Sequence, residues 1–130
     1  MIYEHHDMSH EAQKKLIGEN DSKIIHVEKT GTDGISKVHI RHTDYALMIA
    51  SFLWHKIDEK DHGWAKQFVY PMWVVEAINR ITNYHSSLNI ASQLALNAIA
   101  LGNMKPYKKE VIEELMRGTK AEKDYDLARN

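Results

Sequence analysis

The stretch TDYALMIASFLW (residues 43–54) contains the longest strongly apolar run of the chain, residues 45–54. Thr43 and Asp44 stand directly before this run, and both residue types are common where helices begin, because their side-chain oxygens accept hydrogen bonds from backbone N–H groups. The run is far shorter than the ~20 apolar residues that a membrane-spanning helix needs. The sequence therefore predicts a helix from residue 45 to about residue 60 at the centre of a buried core.

Downstream of this helix, Pro71 suits the first turn of another one. The 3.6-residue period then places a set of apolar residues on a single face: Val74, Ala77, Ile78, Ile81 and Tyr84. Weak helix formers fill residues 82–87, so we expect a break there. The alternative is one continuous helix over 72–101.

Two more helices follow from capping residues. Ser86 is expected to cap a helix over 87–101 that ends at Gly102, since serine accepts hydrogen bonds at helix starts and glycine favours helix ends. Pro106 opens a last helix, which Gly118 closes.

The N-terminal part of the chain has a different pattern. Residues 8–17 predict a short helix, and KIIHVEKTGTDGISKVHIRH (residues 23–42) alternates with period two on both sides of a glycine-rich turn, which is typical of a β-hairpin. With Asp33 and Gly34 as the turn, Val27 faces Ile40, whereas a four-residue loop, GTDG, changes the pairs but keeps the same faces. One side of the hairpin would then be apolar and pack on the helix that starts at residue 45: Ile25, Val27, Val38 and Ile40.

These elements predict an α+β fold that is mostly α, with the N-terminal β-hairpin packed on a bundle of about four to five helices. A chain of 130 residues is the size of one ordinary domain. We therefore expect residues 1–118 to form a single globular domain. Residues 119–130 are charged and poor in apolar side chains, which predicts a disordered tail.

Composition excludes several classes of function. Seventeen Lys and Arg against eighteen Asp and Glu leave a net charge of −1, so nucleic-acid binding is disfavoured. The chain has no cysteine, which removes thiol catalysis, thiolate zinc sites and disulfides. No apolar stretch suits a membrane span, and no secretory signal pattern opens the sequence. We expect a cytoplasmic protein.

Two stretches carry residue types that bind metals. HHDMSH (residues 5–10) begins the zincin pattern, but Lys14 stands where its second histidine is required, so we interpret this stretch as a solvated terminus. In HKIDEKDH (residues 55–62), a helix would present three ligands on one face: His55, Glu59 and His62. A charged, solvated helix end is the alternative interpretation.

The polar side of the hairpin predicts a ligand-binding site for a small anion. Its residues are His26, Glu28, His39 and Arg41. Histidine and arginine can bind an anion, and histidine with glutamate can exchange protons near neutral pH. Ordinary cross-strand pairing explains the same residues. The chain contains no Walker loop and no GxGxxG motif.

The helix over 87–101 carries two ladders of residues at four-residue spacing. One consists of amides, Asn89, Gln93 and Asn97, and the other of small residues, Ser87, Ala91 and Ala95. Small residues let a second helix approach closely, and buried amides pair across symmetric interfaces. The sequence therefore predicts that this helix forms the contact of a homodimer.

These observations favour a small, non-enzymatic interaction or regulatory protein that acts as a homo-oligomer and binds or inhibits an unidentified protein partner. No cofactor is expected. The first alternative is a metal-dependent hydrolase or lyase that uses histidine and carboxylate ligands for a divalent metal. The second is a binding module for a small anion or nucleotide.

Overall fold

The computed structural model describes the backbone of residues 3–9, 25–30 and 35–130, and the side chains of residues 42–130. Three backbone strands lie in the first part: β1 (Tyr3–Ser9), β2 (Ile25–Thr30) and β3 (Ile35–Arg41). They pair antiparallel in the order β1-β3-β2. Ile25 lies opposite Ile40, and Val27 opposite Val38, with an irregularity between Val27 and Lys29. This register differs from the pairing of Val27 with Ile40 that a two-residue turn at Asp33 and Gly34 would give.

The remaining described chain is helical. It comprises α1 (His42–Lys56), a 3₁₀ turn (Glu59–Asp61), α2 (His62–Ala65), α3 (Met72–Ile81), α4 (Ser86–Ala100), α5 (Lys109–Met116) and α6 (Lys120–Arg129). None of these helices is long and apolar enough to cross a membrane.

The predicted α+β fold class is wrong for the part of the chain whose side chains are described. Residues 42–130, the part whose side chains are described, contain helices and no strand, and they form a helical bundle. In this part of the chain α1 packs against α3, α4 and α5, so its apolar side chains lie in a core between helices. The expected packing of Ile25, Val27, Val38 and Ile40 on this helix concerns side chains outside the described residues. Most of the predicted helix over 8–17 lies outside them too, and its first two residues belong to β1.

The centre of the core is α1, as the sequence predicts. Met48, Ile49 and Leu53 are completely buried, and each such side chain contributes about 1.5–3 kcal/mol relative to an exposed one. Small residues on both helices, including Ala50 and Ala95, let α4 lie along α1. The helix ends at Lys56, four residues short of the predicted end.

The predicted break between α3 and α4 is confirmed. The Thr82 hydroxyl donates to the Ile78 carbonyl (2.6 Å), and the backbone N–H of Tyr84 reaches back to Asn79 (2.8 Å). Asn83 and Tyr84 take positive φ angles of 53° and 58°, which end the helix. Tyr84 is consequently 67% exposed, which corrects its predicted place on the buried face of α3.

The rest of the predicted buried face of α3 is confirmed, whereas the predicted cap of α4 is wrong. Val74, Ala77, Ile78 and Ile81 are buried as expected. Ser86 does not cap α4, because the helix begins at Ser86 itself and its N-cap residue is His85. Gly102, with a φ of 79°, ends α4 in the left-handed conformation that glycine adopts without a steric penalty.

The predicted disordered tail contains α6 instead. Thr119 caps this helix, since its side chain accepts a hydrogen bond from the Glu122 backbone N–H (3.5 Å). The Tyr125 ring meets the rings of Phe52 (5.4 Å) and Trp73 (5.6 Å) edge to face. A charged sequence therefore folds here because one cap and one aromatic anchor fix it to α1 and α3.

We expect the Tyr125→Ala variant to lose about 2 kcal/mol of the free energy of unfolding, because two aromatic pairs contribute ~0.5–1.5 kcal/mol each beyond area burial. Urea denaturation followed by circular dichroism measures this loss. The matched control is Leu127→Ala, whose side chain lies on the same helix and is 60% exposed. Equal stabilities for the two variants would show that α6 is not anchored by its tyrosine.

Candidate functional site

A groove opens between the segment that follows α2, helix α3 and helix α4. Its volume is about 410 Å³, and its lining is mostly apolar: Phe68, Val69, Tyr70, Val74, Val75, Ile78, Gln93, Leu96 and Asn97. We call it the Tyr70 groove. Val74 and Leu96 are completely buried and belong to its floor, whereas Phe68 is about half exposed. Its size lies within the range of small-molecule sites, ~300–1,000 Å³.

The end of α2 positions one side of this groove. The Val69 backbone N–H bonds the Trp64 carbonyl (3.1 Å), and the Phe68 N–H bonds the Ala65 carbonyl (2.9 Å). These two bonds form a Schellman motif, in which the residue at the position of Phe68 is usually glycine. Phe68 has a φ of 61° there, a conformation that costs a residue with a side chain roughly 1–2 kcal/mol.

A hydrogen bond joins the two sides of the groove. The Tyr70 hydroxyl donates to Oδ1 of Asn97 at 2.6 Å, across 27 residues of sequence. Burial raises the pKa of Tyr70 from 10.0 to about 12, so the phenol is neutral at physiological pH. Asn97 is one of the predicted interface residues, and the structure places it at this groove.

The outer face of α4 is apolar and exposed. Ile90 (57%), Leu94 (62%) and Leu101 (49%) project on the same side as Asn97, at spacings of four, three and four residues. We call these four residues the α4 stripe. Residues 81–104 contain no Asp, Glu, Lys or Arg, although 27% of the whole chain is charged. The stripe therefore lies on a segment of the chain without charged side chains.

The predicted amide ladder forms hydrogen bonds within the chain. Gln93 Nε2 donates to Asn89 Oδ1 (2.5 Å), and Asn89 Nδ2 donates to Asn79 Oδ1 (2.8 Å) and Thr82 Oγ1 (3.3 Å). Asn89 thus ties α4 to the end of α3. Its amide nitrogen is already used inside the chain, whereas Gln93 and Asn97 line the Tyr70 groove.

Two members of the small-residue ladder pack on the core of the chain. Ala95 is buried, with 7% of its surface exposed, and Ala91 packs partly buried against the same core. Ser87 is exposed, and its hydroxyl lies 3.2 Å from His85 Nδ1. The close approach that small residues permit is therefore used between α4 and α1. Substituting Ala95 with leucine would overpack this core instead of probing a dimer contact.

The predicted metal ligands His55, Glu59 and His62 do not share a helix face, because α1 ends at Lys56. His55 Nε2 lies 2.7 Å from the Tyr107 carbonyl oxygen, and Glu59 is exposed in the 3₁₀ turn. Among residues 42–130, no group of three or more histidine, aspartate or glutamate side chains has the geometry of a metal site.

His62 has a separate environment. Its ring stacks on Trp54 with a centroid distance of 3.9 Å and an interplanar angle of 15°. Its Nε2 atom is buried and has no hydrogen-bond partner. The stack on Trp54 covers one face of the His62 imidazole ring.

The predicted anion site on the hairpin concerns His26, Glu28, His39 and Arg41, whose side chains lie outside the described residues. The same holds for the side chains of HHDMSH (residues 5–10). The anion site on the hairpin and the solvated terminus at residues 5–10 both stay predictions.

Sequence reasoning missed Phe68 and Tyr70. The stretch KQFVY before Pro71 is ambiguous between a strand and an extended linker and carries no glycine, so a left-handed helix end at Phe68 has no local signal. The tyrosine before a proline is expected to be extended, but its hydrogen-bond partner lies in another helix.

The raised pKa of Tyr70 predicts how the free energy of unfolding depends on pH. Because the folded state holds the phenol proton more tightly than the unfolded state, Tyr70 contributes stability that is fully present below pH 10 and is lost as the pH rises through its folded pKa of about 12. We expect the free energy of unfolding to fall more steeply over this window for the wild type than for Tyr70→Phe. Urea denaturation at several pH values measures the two slopes.

Tyr84→Phe is the control for this measurement, since it removes a hydroxyl from an exposed tyrosine. Its slope should match that of the wild type. Identical slopes for the wild type and Tyr70→Phe would contradict the assignment of the raised pKa to burial of Tyr70.

A comparison of the chain with protein-family models, with curated protein sequences and with solved structures finds no match.

Proposed function

We propose that this protein is a non-enzymatic interaction protein that works as a homo-oligomer, with the α4 stripe as the contact between copies. The observation that carries the proposal is the exposure of Ile90, Leu94 and Leu101 on one side of a helix that belongs to an uncharged segment. Contiguous exposed apolar surface of this kind marks interaction sites on globular domains.

The spacing of the stripe supports a helix-to-helix contact. Side chains that recur at intervals of four, three and four residues form a narrow seam, which is the pattern that packs two helices side by side. Asn97 interrupts this seam between two leucines. A single asparagine at such a position favours one register over the others, at some cost in stability.

The chemistry of the surface supports a second copy as the partner. A two-fold contact brings the same residues together from both copies, so each uncharged side chain would meet an uncharged neighbour. A partner with a charged surface would lose solvation at this face without gaining an ion pair. Interface centres are depleted of charged residues in the same way.

The proposal has two wider parts. The first is that the oligomer binds or inhibits another protein. The second is a cytoplasmic location, with which the cysteine-free sequence is compatible because disulfides mark oxidising compartments.

Leu94→Glu tests the proposal. We expect the wild type to have the mass of a dimer at micromolar concentration, and the variant to dissociate with an affinity at least about tenfold lower, because an unpaired carboxylate would be buried in the contact. Light scattering coupled to size exclusion measures both masses.

Leu127→Glu is the matched control, because it also places a carboxylate at an exposed leucine, 60% exposed, but on α6. Its mass should equal that of the wild type. A wild type of monomeric mass overturns the proposed self-association, and a dimeric Leu94→Glu protein places the contact elsewhere. Far-UV circular dichroism verifies that each variant is folded.

A further inference from the structure

We propose that the Tyr70 groove binds a small uncharged molecule that has an apolar body and a hydroxyl at one end. This inference does not rest on self-association, since Asn97 is the one residue of the α4 stripe that lines the groove, and Ile90, Leu94 and Leu101 do not. It gives the bundle a ligand-binding activity in addition to the contact proposed for the α4 stripe.

The apolar body of the ligand matches the floor and rim of the groove. Val74 and Leu96 are completely buried beneath it, and Val75 is 48% exposed at its side. The volume of about 410 Å³ accommodates a chain of several methylene groups or one ring system. Moving such a group from water onto these side chains is favourable.

The polar end of the groove selects a hydroxyl. Tyr70 commits its O–H to Asn97 Oδ1, so its oxygen remains an acceptor for another donor. Asn97 Nδ2 has no hydrogen-bond partner among the described residues, so it remains a donor. An acceptor and a donor therefore lie side by side, and an alcohol can donate to the first while accepting from the second.

The groove does not suit a carboxylate ligand, because no charged side chain lines it. None of the groove residues carries a formal charge when Tyr70 is protonated. A carboxylate would lose its water in this groove and find no cationic partner. The lining therefore distinguishes a neutral alcohol from a carboxylate of the same chain length.

The backbone at Phe68 is a second observation at the same place. Phe68 adopts a φ of 61° where helix ends usually carry glycine, and its side chain is 52% exposed. Partial burial of this side chain therefore offsets little of the free energy that its backbone conformation costs. Residues held in such conformations concentrate at ligand sites. We infer that the phenylalanine is there to form one side of the groove.

The test uses 1-octanol as the probe and octanoate as its charged match, with isothermal titration calorimetry on the full chain. We expect octanol to bind saturably with one site per chain, and octanoate to bind at least about tenfold more weakly. Non-saturable uptake of octanol, or equal affinity for octanoate, would overturn the proposal.

Two variants assign the binding to this groove. Tyr70→Phe keeps the ring and removes the acceptor, and we expect it to weaken octanol binding by about fivefold to tenfold. Phe68→Gly removes one side of the groove while relieving the strained backbone, so we expect weaker binding together with an unchanged or higher melting temperature. Unchanged affinity in both variants would refute the assignment.

Leu127→Ala is the control variant, and its affinity for octanol should equal that of the wild type. The Leu94→Glu protein separates this proposal from the preceding one. We expect it to bind octanol as the wild type does, whatever its mass, because its substitution lies outside the groove. Loss of octanol binding in Leu94→Glu would show that the ligand site depends on the contact between copies and would overturn an independent groove.

Discussion

The structure of residues 42–130 depends on burying α1, a helix that has almost no polar face. Met48, Ile49, Ala50 and Ser51 are consecutive and so point in four directions around its axis, and each is at most 1% exposed. No single neighbour can cover such a helix, so others must pack on several of its sides. The course of the chain from α3 to α6 follows from this requirement, since each of these helices contributes an apolar or aromatic side chain to the core that surrounds α1.

The same requirement accounts for the two surfaces to which we assign functions. Once α4 turns Leu96 and Ala95 towards the core, its opposite side projects Ile90 and Leu94 outwards. The groove opens beside it, and the segment from Phe68 to Tyr70 lines it together with α3 and α4. The two surfaces are therefore consequences of one arrangement, and Asn97 belongs to both.

Sequence patterns predicted those features that depend on neighbours along the chain. The helix that begins near Thr43, the buried face of α3 and the break after Thr82 follow from helical period and from local helix preference. Contacts between distant residues were beyond these patterns. Ala95 could not be placed on the core side without knowing where α1 lies, and Tyr125 anchors α6 through Phe52 and Trp73, which are distant in sequence. The proposed metal set of His55, Glu59 and His62 failed for a local reason, because α1 stops before its second member.

The link between α1 and the segment before α5 has a consequence for the order of folding. Ser51 accepts a hydrogen bond from the Tyr107 backbone N–H, and His55 bonds the carbonyl of the same residue, across 56 and 52 positions of sequence. Closing a loop of that length costs more chain entropy than joining α3 to α4 through their short turn. We therefore expect the α3–α4 pair to be structured in the folding transition state, and the two hydrogen bonds to the Tyr107 backbone to form after it. Substitutions at Ser51 would then mainly speed up unfolding, whereas substitutions at the α3–α4 contact would slow down folding.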